Sequence, residues 1–414
     1  MSDIVVGLDI GTCNVRVIIG AQDENGRLKI IGVGNAPSTG LSRGVIINIE
    51  NTMSAVTSAI EAAELMGGCE VHSCFVGIGS TQVESLNSKG QVSVSNKSRE
   101  IGQNDINRVI ECASTVAVPL DRKVLHVVPQ VYSVEHSVDC VQKTKDPTNM
   151  IGTRLYVDVH IITATTTTMQ NIFTCASRAG YTVDGIMLKT LASVQSVLTE
   201  EEKELGAILI DMGGGSTDVI VVSDGAPICT ASIPIGGIVV SNDIAIVRGI
   251  PTETAEKIKV SNGCCWSPLV QENEEVLIQK NGRAESIPRS EICQIIQPRV
   301  AEIFEMIKEK VFSSIGDKRL SGNVVLVGGG ARMTGVIELA SEVFGTQSVR
   351  IGMPGKLSGL DDKYRSPDYV TAVGLVVANS EILNQGGTKR GNKDYSSNNK
   401  SLLSKIAQFF KEMF

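Results

Sequence analysis

Hydrophobic and polar positions along the 414-residue chain fall into short β-branched runs broken by glycine turns, with longer helical periodicities between them. This pattern predicts an α/β protein. Residues 4–8 read as a buried strand, DIGTCN (residues 9–14) as the turn that follows, and residues 15–19 as the returning strand. The same order recurs with residues 207–210, DMGGGSTD (residues 211–218) and residues 219–222. Each is predicted to be a hairpin with a glycine tip. A third apolar run at residues 324–327 leads into GGGARMTG and then a helix with Val336, Leu339, Ala340, Val343 and Phe344 on one face. Between the first two hairpins, residues 91–94, 124–134 and 155–161 read as strands. A helix over residues 105–113 is predicted to open at Asn104 as its N-cap.

These turns carry the candidate chemistry. Glycine permits positive φ and lets backbone N–H groups approach an anion, and the hydroxyls of Thr12, Ser216 and Thr217 add donors. Asp9 and Asp211 would repel a phosphate, so their chemical use is to hold a hydrated Mg²⁺ that bridges phosphates. The strand, triple glycine and helix around Gly328, Gly329 and Gly330 suit backbone packed against a base or ribose. No GxxxxGK[ST] loop is present, and no GxGxxG lies between an early strand and a helix. The four histidines, His72, His126, His136 and His160, fall outside the glycine elements, which argues against a Ser-His-Asp hydrolase. His160 reads as one face of a strand.

Length and a hydrophobic content of 42% predict more than one core. The chain enters a strand without a secretory pattern, and no run approaches the ~20 apolar residues of a membrane span. A soluble or peripheral cytosolic protein is therefore expected, with no nucleic-acid partner. The ten cysteines are scattered, and the close pairs Cys69/Cys74 and Cys264/Cys265 lack zinc-finger spacing, so reduced thiols are expected. Cys13, in the first phosphate turn, is a candidate for oxidation sensitivity or simply a backbone donor.

The three glycine elements in this order resemble the actin/Hsp70/sugar-kinase superfamily, whose phosphate-1, phosphate-2 and adenosine motifs they match. The unit at residues 84–160 narrows the resemblance to the FtsA family of bacterial division proteins. So do LASVQSVLTEEEKELGAILIDMGGGSTDV, ICTASIPIGG, TAEKIK and QPRVAEIFEMI. The resemblance implies an actin-like duplicated ribonuclease-H-like ATPase fold with two lobes, in which an inserted subdomain replaces the usual fourth one. The implied divisions are subdomain 1A at 1–83, 161–200 and 351–383, and inserted subdomain 1C at 84–160. Subdomain 2A would take 201–226 and 305–350, with 2B at 227–304. Hinge helices are implied at residues 192–198 and 369–378, where Ala372, Gly374 and Ala378 would allow close crossing.

The resemblance further implies ATP between the lobes, contacted by Asp9, Gly11, Thr12, Cys13, Asn14, Asp211, Gly213, Gly214, Gly215, Ser216, Thr217 and Gly328–Gly330. Glu256 and Lys259 would reach the ribose or adenine, and Arg332 would stack on the purine. Mg would be held by Asp9 and Asp211 through water. Arg299 and Glu302 would help receive the C-terminal peptide of FtsZ, although a solvated helix face is the simpler reading of those two residues alone. Self-assembly into filaments and later division proteins meeting the insert are implied as well. Many family members resemble DIGTTK in the first loop, whereas this chain has Asn14 at the lysine position. Arg16, two residues on and on the same side of a strand, is the candidate to restore that charge. The segment SNGCCWSPL at residues 261–269 also departs from the family pattern. Asp211 is the one catalytic candidate, and at most slow ATP turnover is expected.

The C-terminus can be read without any family. Residues 384–400 hold four basic residues and one Asp with no apolar periodicity, which predicts a disordered linker. As a flexible coil it would span roughly 20–25 Å. Residues 401–414 predict an amphipathic helix whose apolar stripe is Leu402, Leu403, Ile406, Phe409, Phe410, Met413 and Phe414. Residues 384–414 carry a net charge of +4, against −11 for the rest of a chain whose total is −7. An anionic membrane would therefore attract the tail and repel the body, which favours a lipid surface over a protein groove. The combined expectation is an ATP-binding adaptor that tethers FtsZ to the cytoplasmic face of the inner membrane at the septum. A pilus-assembly adaptor, a superfamily small-molecule kinase and an Hsp70-like chaperone are the alternatives.

Overall fold

The computed structural model describes residues 3–23, 26–137, 140–280, 283–316 and 322–385. Of the linker and amphipathic helix expected at residues 384–414, only Asn384 and Gln385 are described, and they end the final helix instead of opening a linker; the rest lies outside the described residues. The chain begins with β1 (Asp3–Ile10), β2 (Asn14–Gln22), β3 (Leu28–Pro37), a short hairpin of β4 (Leu41–Ser42) and β5 (Val45–Ile46), α1 (Ile49–Gly67) and β6 (Ser73–Ile78). An inserted unit follows: β7 (Val83–Ser93), α2 (Gln103–Ser114), β8 (Arg122–Ser137), β9 (Cys140–Thr144) and β10 (Arg154–Thr165). The first lobe then resumes with α3 (Thr166–Arg178), β11 (Thr182–Leu188), α4 (Lys189–Val197) and α5 (Glu200–Leu205). The second lobe runs through β12 (Ala207–Met212), β13 (Thr217–Ser223), β14 (Ala226–Ile233), α6 (Gly237–Arg248) and α7 (Thr252–Asn262). It continues with β15 (Glu275–Lys280), β16 (Arg283–Pro288), α8 (Arg289–Ile315), β17 (Asn323–Val327), α9 (Val336–Phe344) and β18 (Val349–Ile351). The last helix, α10 (Val370–Gln385), returns to the first lobe.

The two lobes repeat one topology. Sheet order is β11-β6-β1-β2-β3 in the first and β18-β17-β12-β13-β14 in the second. In both, a three-strand antiparallel meander continues into two parallel strands. Period-two alternation explains how each sheet is covered. Val6, Leu8 and Ile10 of β1 pack in a core shared with α1, whereas Val5 joins Ala372, Val373 and Val376 of α10 on the other face. In the second sheet Leu209 and Val325 share the core with α4 and α10, while Ile208, Ile210 and Leu326 meet α8 and α9.

Helices α4 and α10 thus lie between the two sheets, buried on most sides, which suits their apolar composition. Their crossing is close: a Cβ on Gly374 would lie 1.9 Å from the Ala192 carbonyl oxygen, and Ala372 and Ala378 are fully buried. Both predicted hairpins are present as β1–β2 and β12–β13, with a glycine turn at each tip.

The insert is a four-stranded sheet, β7-β10-β8-β9, covered by α2 around Ile101, Ile106, Val109 and Leu155. Two local readings change. The N-cap of α2 is Gly102 rather than Asn104, because the Asp105 carboxylate turns back to accept from the Gly102 N–H and so closes the first turn. Strand β9 was not anticipated, since its residues are mostly exposed and leave no buried stripe. His160 is buried on β10 as a strand residue, with Nδ1 2.7 Å from Asn87 Oδ1 and Nε2 3.1 Å from Thr230 Oγ1 of the second lobe. Among the described residues no helix is long and apolar enough to cross a membrane.

Candidate functional site

The duplicated hairpins face each other across the cleft between the lobes, and their turns are built alike. Gly11 N–H donates to Asn14 O and Gly213 N–H donates to Ser216 O, both at 3.0 Å. The loops nearly touch: a Cβ on Gly214 would lie 2.2 Å from Cys13 Sγ, and one on Gly215 would lie 2.6 Å from Thr12 Oγ1. Thr12 Oγ1 accepts from the Gly44 N–H at 3.1 Å, which holds the first turn against the short hairpin. Behind the second turn, the N–H groups of Gly237 and Ile238 at the start of α6 donate to the carbonyls of Gly213 and Gly214 at 3.0 and 2.9 Å.

A cavity of about 380 Å³ lies between these elements. Asp9, Gly11, Thr12, Cys13 and Asn14 line it from the first lobe, and Asp211, Gly213, Gly214, Gly215 and Ser216 from the second. Glu256, Lys259, Gly328, Gly329, Gly330 and Arg332 also line it, as do Arg16, Lys189 and Asp218. Thr217, expected to add a donor, is fully buried, and its hydroxyl donates to Ile235 O at 2.8 Å, so it braces the turn from behind. Gly328 has φ +82°, and a Cβ there would lie 2.3 Å from Asp211 Oδ1, so the third glycine element rests directly on that carboxylate. The unusual segment at residues 261–269 anchors the same wall, with Cys265 N–H donating to Thr334 O at 2.9 Å.

On α7, Lys259 Nζ lies 2.7 Å from Glu256 Oε2 and donates to Gly237 O at 2.9 Å. Their i, i+3 spacing places both on the cleft side. Arg332 is largely exposed and stands 3.9 Å from Asp368 Oδ1. Arg16 does not serve as a free substitute for a loop lysine. It donates to Asp368 Oδ2 at 2.9 Å and stacks over the Tyr369 ring, 5.2 Å from its centre.

Lys189, which sequence reading passed over, occupies the acidic end of the cleft. Its Nζ lies 2.7 Å from Asp9 Oδ1 and donates to Ile10 O at 2.7 Å. Burial alone would lower its pKa, but the carboxylates of Asp9, Asp211 and Asp218 outweigh that and hold it above the ordinary lysine value. Asp211 and Asp218 are paired across β12 and β13. Burial, reinforced by the charges of Asp218 and Asp9, pushes Asp211 up to about 7 against the opposing effect of Lys189. Burial also raises Asp218, whose Oδ2 accepts from Ser216 Oγ at 3.3 Å. Three carboxylates against one ammonium leave this end short of positive charge. Cys13 is exposed at the first turn, yet desolvation between the lobes raises its pKa, so its thiol is a weak nucleophile.

A second concave surface lies on the second lobe, between α6 and α8. Asp243, Ile246 and Val247 face Ile295, Pro298, Arg299 and Glu302 there. Arg299 is not a loosely solvated side chain: Nε donates to Asp243 Oδ2 at 2.6 Å, and the guanidinium also pairs with Glu302. Ile246 and Val247 beside it are 79% and 63% exposed.

Comparison with known proteins agrees with this architecture. The family described as Cell division protein FtsA matches residues 208–374, and the SHS2 domain inserted in FtsA matches residues 80–163, the unit that carries β7 to β10. FtsA of Pseudomonas aeruginosa is 40% identical over 90% of this chain and 88% of its own length. FtsA of Borreliella burgdorferi is 37% identical over 100% of this chain and 99% of its own length. Among solved structures, a PilM-PilN type IV pilus biogenesis complex aligns with a TM-score of 0.64 at 15% identity, covering 91% of this chain and 98% of that one. MreB 5 of Spiroplasma citri bound to AMPPNP aligns at 0.52 with 15% identity, covering 93% and 97%. These two likenesses are of fold, and they bear out an actin-like lobe pair. Full-length identity to curated relatives, together with the inserted domain, places the chain in the FtsA family of cell division proteins.

Proposed function

We propose that this chain is an actin-like, ATP-binding division protein that assembles into filaments and tethers FtsZ to the cytoplasmic face of the inner membrane at the septum. The observation that carries the reading is the cleft, where two equivalent glycine turns and the triple glycine converge on one cavity lined by acids and a buried lysine. Backbone N–H groups of the turns suit phosphate oxygens, and Glu256, Lys259 and Arg332, which line the same cavity, are proposed to meet the nucleoside. Mg fits the charge balance, because the Asp211 and Asp218 carboxylates lack enough positive charge to be comfortably ionised together. When bound, the ion would neutralise these carboxylates and the phosphates, held from Asp211 and from Asp9 through water. No residue in the turns is placed as an obvious water-orienting base, so ATP is proposed to act as a conformational and polymerisation effector with slow turnover.

The α6/α8 surface supplies an apolar floor at Ile246 and Val247 beside Arg299, which suits an extended peptide such as the FtsZ C-terminus. The apolar stripe of residues 402–414 is proposed as the lipid anchor, and later division proteins are proposed to meet the insert. A single helix of that size binds reversibly, since each large apolar side chain contributes at most ~1.5–3 kcal/mol and helix ordering consumes part of it. Filaments would present many tails together and so strengthen attachment. Sedimentation with anionic vesicles tests this directly. The full chain is expected to pellet more with ATP, and a chain lacking residues 402–414 to stay in solution; equal pelleting of the truncated chain would contradict the anchor.

MamK, a filament-forming neighbour known from its double helical filament, aligns with a TM-score of 0.50 at 12% identity over 90% of this chain and 98% of its own. The fold is thus compatible with assembly. A pilus-type adaptor is the second reading, favoured only by the likeness to PilM.

A further inference from the structure

We infer that Lys189 is a built-in counter-cation for the terminal phosphate of the nucleotide, acting beside the divalent ion that its acidic cleft still needs. The inference rests on the nucleotide reading of the cleft and goes beyond it by assigning a residue that belongs to none of the three glycine elements.

Elimination is the first argument. The first turn carries Asn14, which has no charge, and Arg16 is committed to Asp368 and Tyr369. Lys259 is paired much as Lys189 is, with Glu256 and the Gly237 carbonyl, but it stands on α7 beside the second turn alone, and Arg332 is 65% exposed at the rim. Lys189 is the remaining cation on the cavity wall, at the end where Asp9, Asp211 and both phosphate turns meet.

Rigidity is the second. Lys189 opens α4, and the preceding Leu188 N–H donates to His126 Nε2 at 3.0 Å, which fixes the backbone at that point. Its aliphatic stem lies over two glycines: a Cβ on Gly77 would be 3.1 Å from Cγ, and one on Gly79 would be 3.1 Å from Cδ. A side chain packed in this way loses little further entropy on meeting a ligand.

Donor count is the third. An ammonium has three N–H donors. Ile10 O accepts one, and Asp9 Oδ1 is an ion-pair partner at 2.7 Å without hydrogen-bond geometry, so among the described residues at least one N–H is left for a ligand oxygen. Asp9 then acts as the positioning residue for Lys189.

Titration of the full chain with a fluorescent ATP analogue, in Mg²⁺ and in EDTA, tests the inference by affinity alone. Wild type is expected to weaken when Mg²⁺ is chelated, since three carboxylates then face the phosphates, but to keep measurable affinity because the fixed ammonium still offsets part of the phosphate charge. Lys189→Met is expected to weaken about a hundredfold in EDTA and to recover most of that loss in Mg²⁺. The double variant Asp9→Asn/Lys189→Met removes the pair together and should show a similar loss in EDTA, where no Mg²⁺ is held, without leaving the Asp9 carboxylate unpaired. Lys189→Arg should retain nucleotide in EDTA. Lys189→Met and double variants that match wild type in EDTA would overturn the role of Lys189 while leaving the site intact. Failure of wild type to bind under both conditions would instead remove the nucleotide reading, and the inference with it.

Discussion

Asp211 and Asp218 sit directly opposite each other across β12 and β13, whereas the equivalent register in the first lobe pairs Asp9 with Arg16. The duplication has therefore kept the backbone and changed the electrostatics. With its pKa near 7 when folded and an ordinary value when unfolded, Asp211 costs the ligand-free chain stability as pH rises from about 4 to about 7. Asp211→Asn is expected to stabilise the ligand-free protein by about 2 kcal/mol at neutral pH and to have little effect below pH ~4. Thermal unfolding of both proteins across that range measures the difference. An equal or lower midpoint for the variant at neutral pH would show that the like charges are not strained.

His160 has the opposite dependence. It is buried at the contact between the insert and β14, and burial lowers its pKa to about 4. A histidine depressed in the fold contributes fully above its unfolded pKa of ~6.5, and that contribution is lost as pH falls through the window down to 4. The loss is about 1.4 kcal/mol per pH unit within the window. His160→Asn should remove this part of the acid sensitivity, read as a flatter slope of unfolding free energy against pH between 4 and 6.5. An unchanged slope would show that His160 titrates as it does in the unfolded chain.

Arg299 is clamped to Asp243 and Glu302 at the edge of the α6/α8 surface. Arg299→Glu would set three acids together, and the surface would lose its cation. Affinity for an FtsZ C-terminal peptide, measured by fluorescence anisotropy, is expected to drop at least tenfold, while circular dichroism stays that of wild type. Undiminished affinity would reduce Arg299 to a structural clamp.

Much of this was legible in the chain because the hairpins are local. Apolar runs on both sides of DIGTCN and DMGGGSTD determine strand, turn and strand within sixteen residues, and the cross-strand register follows from turn length. The pairing of the two lobes became legible through the repeated Asp-Gly grammar. Side-chain commitments were not legible. Thr217 and Ser216 are neighbours in sequence, yet one faces the cleft and the other Ile235, because strand alternation begins between them. Lys189 lies 180 residues from Asp9, and only the packing of α4 between the sheets brings its ammonium to the turn. Arg16 was visible as a charge, but its partner Asp368 comes from the far end of the chain.

The central claim is that the two glycine turns grip one nucleotide from opposite lobes. Equilibrium titration of the full chain and of Asp211→Ala with a fluorescent ATP analogue in Mg²⁺ tests it most directly. Saturable binding by wild type, weakened at least about tenfold by the substitution, is the predicted result. Identical binding curves for the two proteins, or no binding by wild type, would contradict it.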